Sequence, residues 1–404
     1  MSKQKKWTES DYKAAVKVHK DNKGKVAILS KTPMRTRRDL SLLYTPGVAR
    51  VSELIGKNVE DAYKYTFKGN MVAIVSDGTA ILGLGDLGPE AALPVMEGKA
   101  ILFKKFGGVD AFPLCVGTKD PDEIATFCRQ IAPTFGGINL EDISAPRCFE
   151  IMEKTADLGI PVFHDDQSGT AVVVCGALIN ALRCSGKKMD ELTVVINGAG
   201  AAGIAIGRML RNQKVTPKRI HLLDSKGIVY PGNRRNNAIK EEFAAQVNPD
   251  KIKGDLAKAL KGADVFIGVS QPGLVSKDMV RSMNDDPIIF AMANPVPEIM
   301  PEDAREAGAR FIGTGRSDYP NQINNAVGFP GIFRGAFDAR ATKITPAMRW
   351  AAAHALADFV KKPTCTRLLP PVLSMEVGDA VGKAVAAAWK KYKDGPEALG
   401  NEKY

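Results

Sequence analysis

Two adjacent acidic pairs, Glu141-Asp142 and Asp165-Asp166, each follow a short apolar run, Phe135-Gly-Gly-Ile-Asn-Leu140 and Ile160-Pro-Val-Phe163. Runs of that length and composition read as β-strands. Between them, Ser144-Ala-Pro146 reads as a serine cap and early proline opening an amphipathic helix through Cys148-Phe-Glu-Ile-Met152. Strand, helix, strand is a right-handed crossover, so both strands should run parallel and end at the same sheet edge. Four carboxyl groups then crowd one place and repel one another, unless a cation sits among them or some stay protonated. A hard divalent cation, Mg²⁺ or Mn²⁺, suits such an all-oxygen set. The plainer alternative is that acidic residues simply favour strand ends and helix caps.

A second motif narrows the choice. Thr193-Val-Val-Ile-Asn197 leads into Gly198-Ala-Gly200-Ala-Ala-Gly203 and leaves as Ile204-Ala-Ile-Gly-Arg-Met-Leu210. In this strand–turn–helix pattern Gly198 permits the turn, Gly200 lets the backbone approach a pyrophosphate, and Gly203 allows close helix–strand packing. Ala201 and Ala202 open the helix, where free amides face the anion. The strand Arg219-Ile-His-Leu-Leu223 ends in Asp224, where a carboxylate meets a ribose 2′-hydroxyl. The ligand is NAD or NADP. Asp224 slightly favours NAD, while Lys226, Arg234 and Arg235 could offset its charge against a 2′-phosphate.

The elements that must position these residues form three zones. Residues 1–164 carry a basic helical arm, strands near Met71-Val-Ala-Ile-Val75 and Ala111-Phe-Pro-Leu-Cys-Val116, helices over Val95 to Lys105 and from Asp120-Pro121, and the acidic crossover. Residues 165–340 form the dinucleotide domain, with strands near 193–197, 219–223, 265–269, 288–291 and 311–313. Residues 341–404 are helical. The fold class is α/β: an N-terminal α/β catalytic domain, a Rossmann-like doubly wound parallel sheet, and C-terminal helices. At 404 residues and 45% hydrophobic content the chain can fill two cores.

The net charge of +11 is local. Residues 1–38 hold twelve Lys and Arg against Glu9, Asp11 and Asp21, so most of the excess sits in the arm. No stacking aromatics or nucleic-acid motif accompany it, which argues against nucleic-acid binding and for a solvated arm or a helix packed on a partner subunit. No apolar run approaches a membrane span and no secretory signal is evident, so neither membrane nor export is expected. Six cysteines without metal-type spacing read as free thiols in a reducing compartment, hence a cytoplasmic protein, with organelle import through the basic arm left open.

A metal beside a nicotinamide can hold a hydroxyl with its neighbouring carboxylate and stabilise a developing enolate. Several further segments resemble the malic enzymes, which oxidatively decarboxylate L-malate to pyruvate. These are Tyr44-Thr-Pro-Gly-Val48, Ser76-Asp-Gly78, Leu82-Gly-Leu-Gly-Asp-Leu-Gly88, Glu97-Gly-Lys99-Ala100, Asn139-Leu-Glu141-Asp142, His164-Asp165-Asp166-Gln167, Ala293-Asn294-Pro295 and Asn324-Asn325-Ala-Val-Gly-Phe329-Pro330.

The resemblance implies Lys99 as the base that takes the hydroxyl proton, with a lowered pKa, and Tyr44 as the acid that protonates enolpyruvate. It implies Glu141, Asp142 and Asp166 as metal ligands, and Asp165 as a catalytic group orienting Lys99. Asn294 and Asn325 would contact malate and the nicotinamide amide, while His164 reads as structural. It also implies a compact microbial type and a homodimer acting on a small-molecule substrate. Where animal and plant members carry Glu-Arg after Asp-Gly, with the arginine on malate, this chain has Thr79-Ala80. Two alternatives differ in outcome: a malolactic enzyme releasing lactate, and a non-catalytic dinucleotide-binding regulator.

Overall fold

The computed structural model describes residues 8–393, apart from Leu82 and Lys214. Leu82 of the glycine-rich segment, the start of the basic arm and the last residues of the C-terminal zone thus lie outside the described residues. Strands buried on both faces carry near-continuous apolar runs, and parallel sheets are built from them. The first sheet follows that rule with β1 (Met71–Ser76), β2 (Asp110–Cys115), β3 (Gly137–Leu140) and β4 (Val162–His164), in the order β2-β1-β3-β4. All its pairings are parallel, and the β3–β4 register sets Leu140 opposite His164. Glu141 and Asp165 therefore leave the sheet side by side.

Two local readings need correction. Ser144 does not cap the crossover helix Arg147–Lys154. Pro146 holds the cap position without a side-chain bond, and the Ser144 hydroxyl accepts from Arg147 Nη2 at 3.0 Å. The helix expected over 95–105 runs from Pro89 to Gly107, longer at its start because Pro89 fits the first turn. It tolerates Pro94 inside and ends where Gly108 turns left-handed at φ +61°.

The second sheet contains β5 (Thr193–Asn197), β6 (Arg219–Asp224), β7 (Gly227–Ile228), β8 (Val265–Gly268), β9 (Ile288–Ala291) and β10 (Phe311–Thr314), ordered β10-β9-β8-β5-β6-β7. Five strands are parallel, as the strand–helix alternation predicts. β7 runs antiparallel to β6 and is new. Two residues show no periodicity, so pattern alone could not find it.

Side chains alternate across this sheet. Val194 and Ile196 join a core continuous with the first sheet, while Val195, Phe266 and Ile289 fill a second core behind it. The Phe329–Asp338 helix joins the parts: Phe103 meets Phe329 and Phe333 at 4.6 and 5.3 Å, and Phe163 meets Phe333 at 5.9 Å, all edge-on. Contrary to the expectation of no membrane-length run, the helical stretch Asp165–Ser185 is by length and composition long and apolar enough to cross a membrane. Most of it is buried inside the protein, and it begins on two acids. A helix apolar all round is the form a central core helix takes.

The N-terminal segment differs. Helices Glu9–Asn22, Arg37–Leu43, Gly47–Lys57 and Ala62–Tyr65 contain no buried residue. Ile28 and Leu29 are 87% and 88% exposed.

Candidate active site

The C-terminal ends of both sheets face one cleft of about 1020 Å³. The first sheet contributes Glu141, Asp142 and Asp166, and the second contributes Gly200, Ala201, Ala202 and Asn294, with Asn325 and Phe329 on the wall between. Ligands of open α/β sheets bind at such edges. The two acidic tips expected to meet do so: one oxygen from each of Glu141, Asp142 and Asp166 lies within 4.8 Å of the others.

The backbone aims these groups. Asp142 takes φ +53°, in the left-handed region that aspartate tolerates better than most non-glycine residues. Its carbonyl accepts the Ala80 N–H at 2.9 Å and its own N–H donates to Asp166 Oδ2 at 2.9 Å. Asn139 Nδ2 donates to Glu141 Oε2 at 3.0 Å. Burial pushes the pKa of Glu141, Asp142, Asp165 and Asp166 upward; Lys99 pulls each back, and mutual repulsion adds to the burial. Asp142 Oδ2 is buried without a hydrogen-bond partner. A crowded, unsatisfied, all-oxygen set fits a hard divalent cation.

Asp165 faces elsewhere. It opens a π-helical turn, Asp165–Gly169, and bonds Lys99 Nζ. Gly169 makes room for it, since a Cβ there would stand 1.7 Å from Asp165 Oδ1. Lys99 is buried, also meets Glu141 Oε2 at 2.6 Å, and lies 4.3 Å from the Phe329 ring centre. The sequence reading expected a depressed lysine pKa. Burial does lower it, but Asp165, Glu141 and Asp166 together outweigh burial and hold the ammonium above its ordinary value. His164 is wholly buried; burial and then Lys99 push it down to about 3, so the imidazole is neutral. Its Nδ1 stands 3.8 Å from Asp166, beyond hydrogen-bond reach.

Tyr44 does not join this group. It ends the Arg37–Leu43 helix, is 65% exposed, and is not among the residues lining the cleft. Thr79 and Ala80 are ordered instead of idle: Thr79 Oγ1 donates to Asp77 Oδ1 at 2.6 Å, and Arg147 Nη2 reaches Thr79, Ser144 and Asp77 at 2.9, 3.0 and 3.2 Å.

The glycine loop meets the demands placed on it. Gly198 sits at φ +128°, and a Cβ would fall 2.5 Å from the Val269 carbonyl oxygen. A Cβ on Gly203 would stand 1.7 Å from the Gly198 oxygen, whereas Gly200 faces open space. No side chain caps the Ala201–Arg211 helix, which leaves its first amides available to an anion. Asp224 ends β6 away from the cleft wall. It accepts from the Lys226 amide at 2.9 Å and pairs with Lys240 Nζ at 2.9 Å, so the offsetting charge comes chiefly from a lysine on the next helix that sequence order did not single out.

Other positioning groups were also missed. Glu298 is fully buried and accepts the Ser270 and Ala293 amides at 2.9 and 3.0 Å, tying together the ends of β8 and β9. Its place four residues past Asn294 in a proline-rich turn was the available signal. Gly169 gave none, because only the π-helical turn brings the Asp165 side chain against it.

Two family models match the chain: malic enzyme, N-terminal domain, over residues 23–120, and malic enzyme, NAD binding domain, over residues 167–391. The bifunctional malic/malolactic enzyme of Bacillus subtilis is 54% identical over 93% of this chain and 92% of its own length. The NAD-dependent malic enzyme of Geobacillus stearothermophilus is 53% identical over 90% and 76%. The crystal structure of malic enzyme from Pyrococcus horikoshii superimposes with a TM-score of 0.91 at 44% identity, covering 97% of this chain and 92% of that one.

Proposed function

This chain belongs to the malic enzyme family and oxidatively decarboxylates L-malate to pyruvate with a nicotinamide cofactor, and from that premise we propose how its residues share the work. The reading of a non-catalytic regulator falls with that membership. The observation that carries the assignment of roles is the convergence of three carboxylates, Lys99 and the dinucleotide loop on one cleft.

Glu141, Asp142 and Asp166 would hold Mg²⁺ or Mn²⁺, which supplies Lewis acidity to the malate hydroxyl and its neighbouring carboxylate. Lys99 Nζ takes the hydroxyl proton as hydride leaves the same carbon. Asp165 positions that nitrogen and offers the carboxylate to which it can first release its own proton. Asn294 and Asn325 orient substrate and nicotinamide from the cleft wall, and the Phe329 ring shields the ammonium from water. The amides of Ala201 and Ala202 receive the pyrophosphate. Asp224 keeps a slight preference for NAD, moderated by Lys240.

Tyr44 protonates the enol carbon after CO₂ departs. Because Tyr44 lies outside its own cleft on an uncovered apolar segment, we read the working unit as a homodimer in which a second copy covers that segment and takes up the tyrosine. Free cysteines agree with a cytoplasmic setting.

The test is malate turnover with each cofactor, before and after chelation and after Mn²⁺ is restored. Activity should vanish on chelation and return with Mn²⁺; persistence without metal removes the acidic trio from the mechanism. Accumulation of lactate without net cofactor reduction would favour malolactic chemistry, a name the Bacillus subtilis relative also carries.

A further inference from the structure

The cleft has more negative charge than its own cations balance. L-malate arrives with two carboxylates, and the wall already carries Glu141, Asp142 and Asp166. Among the described residues lining it, the only lysines are Lys99 and Lys25, joined by His19. Lys99 is committed to Asp165 and Glu141.

Lys25 is differently held. Its Nζ donates to the Pro94 carbonyl at 2.6 Å, and its backbone N–H donates to Glu97 Oε2 at 3.0 Å. An ammonium has three donors, so a carbonyl leaves others for an anion. The ammonium lies against the helix at Gly98, where a Cβ would stand 3.4 Å from Nζ. The second lysine is thus set beside the residue that immediately precedes Lys99, on the same cleft wall.

We infer that Lys25 is a specificity-determining residue of the malate reaction, the cation that receives the substrate's second carboxylate, the one remote from the hydroxyl. This rests on the malic enzyme reading of the same cleft. The arm that carries it is therefore part of the substrate site and not only a solvated extension. The remote carboxylate is also the one lost as CO₂, so its ion pair is strongest before the bond breaks. An interaction no stronger in the transition state than in the ground state lowers KM without raising kcat.

Lys25→Met keeps the backbone bond to Glu97 and removes the ammonium together with its bond to the Pro94 carbonyl. KM for malate should rise about 100-fold with kcat within about threefold of wild type, the size of a lost charge-assisted hydrogen bond. L-lactate, which lacks the second carboxylate, should inhibit wild type and variant with the same Ki, and Lys25→Arg should recover most of the malate affinity. An unchanged malate KM in Lys25→Met overturns the inference. So does an equal loss for malate and lactate, which would mean that Lys25 merely straps the arm down. Failure of the wild type to turn over malate would instead break the underlying reading.

Discussion

At the cleft, Lys99 is held by Asp165, Glu141 and the Phe329 ring, groups carried on three separate elements and brought into one buried point. In the N-terminal segment, Tyr44 ends a seven-residue helix with most of its surface in water. The first region gains its geometry from burial, since Lys99, Glu141 and Asp165 are all enclosed by the core. The second is defined locally: Thr8 with Asp11, and Thr36 with Asp39, form capping boxes that satisfy helix ends without any core. Local capping shapes a segment but gives its apolar face no partner. The packing of one region is complete within a single chain, whereas the other leaves apolar side chains such as Ile28 and Leu29 exposed.

The largest effect tests the buried region. Lys99→Ala should reduce kcat by about 10³- to 10⁴-fold, the upper range for a lost general base. It should also lower the melting temperature, because buried Asp165 and Glu141 lose their counter-ion. Unchanged kcat in steady-state assays would remove Lys99 as the base.

Truncations then compare the two regions as packing. Phe333→Ala should cost about 3–5 kcal/mol in denaturant unfolding, from the cavity left between Phe103, Phe163 and Phe337. Replacing Ile28 and Leu29 together with serine should change monomer stability by less than about 0.5 kcal/mol. The same double variant should weaken dimerisation in sedimentation measurements; an unaltered dimer would show that another surface joins the copies.

Complementation sharpens the contrast further. Tyr44→Phe and Lys99→Ala enzymes should each be nearly inactive. Dissociated and reassembled together, they should regain activity, because a mixed dimer can pair an intact Lys99 cleft with an intact Tyr44. No recovery despite confirmed subunit exchange would return Tyr44 to its own cleft.

The smallest effect is local. Thr36→Ala removes a cap and should cost about 1 kcal/mol, visible as faster amide exchange confined to residues 37–43. Slower exchange, or protection lost throughout the protein, would contradict the view that this helix is set by its own ends.

Much was legible before any fold was seen. The runs 193–197, 288–291 and 71–75 announced strands because parallel sheets require continuous apolar residues. The two acidic pairs announced a carboxylate cluster because one crossover puts consecutive strand ends together. Gly203 has the close local packing expected of it, against the Gly198 carbonyl, whereas the crowding at Gly198 comes from distant Val269. Two-residue β7, the unused Ser144 cap, the Lys240 partner of Asp224 and the buried Glu298 were not legible. Each depends on which distant backbone or side chain arrives beside it.

By itself the sequence determined the local order of elements, the chemistry of the donor atoms and the dinucleotide loop, because those follow from periodicity, residue type and short spacing. Tertiary structure alone decided that the acids share one buried pocket with Lys99. It also decided that Asp165, Glu141 and Asp166 raise the pKa of that lysine against the effect of burial, and that Tyr44 stands outside while Lys25 stands at the wall. Those outcomes rest on burial and on charges far apart in the chain, which linear order does not encode.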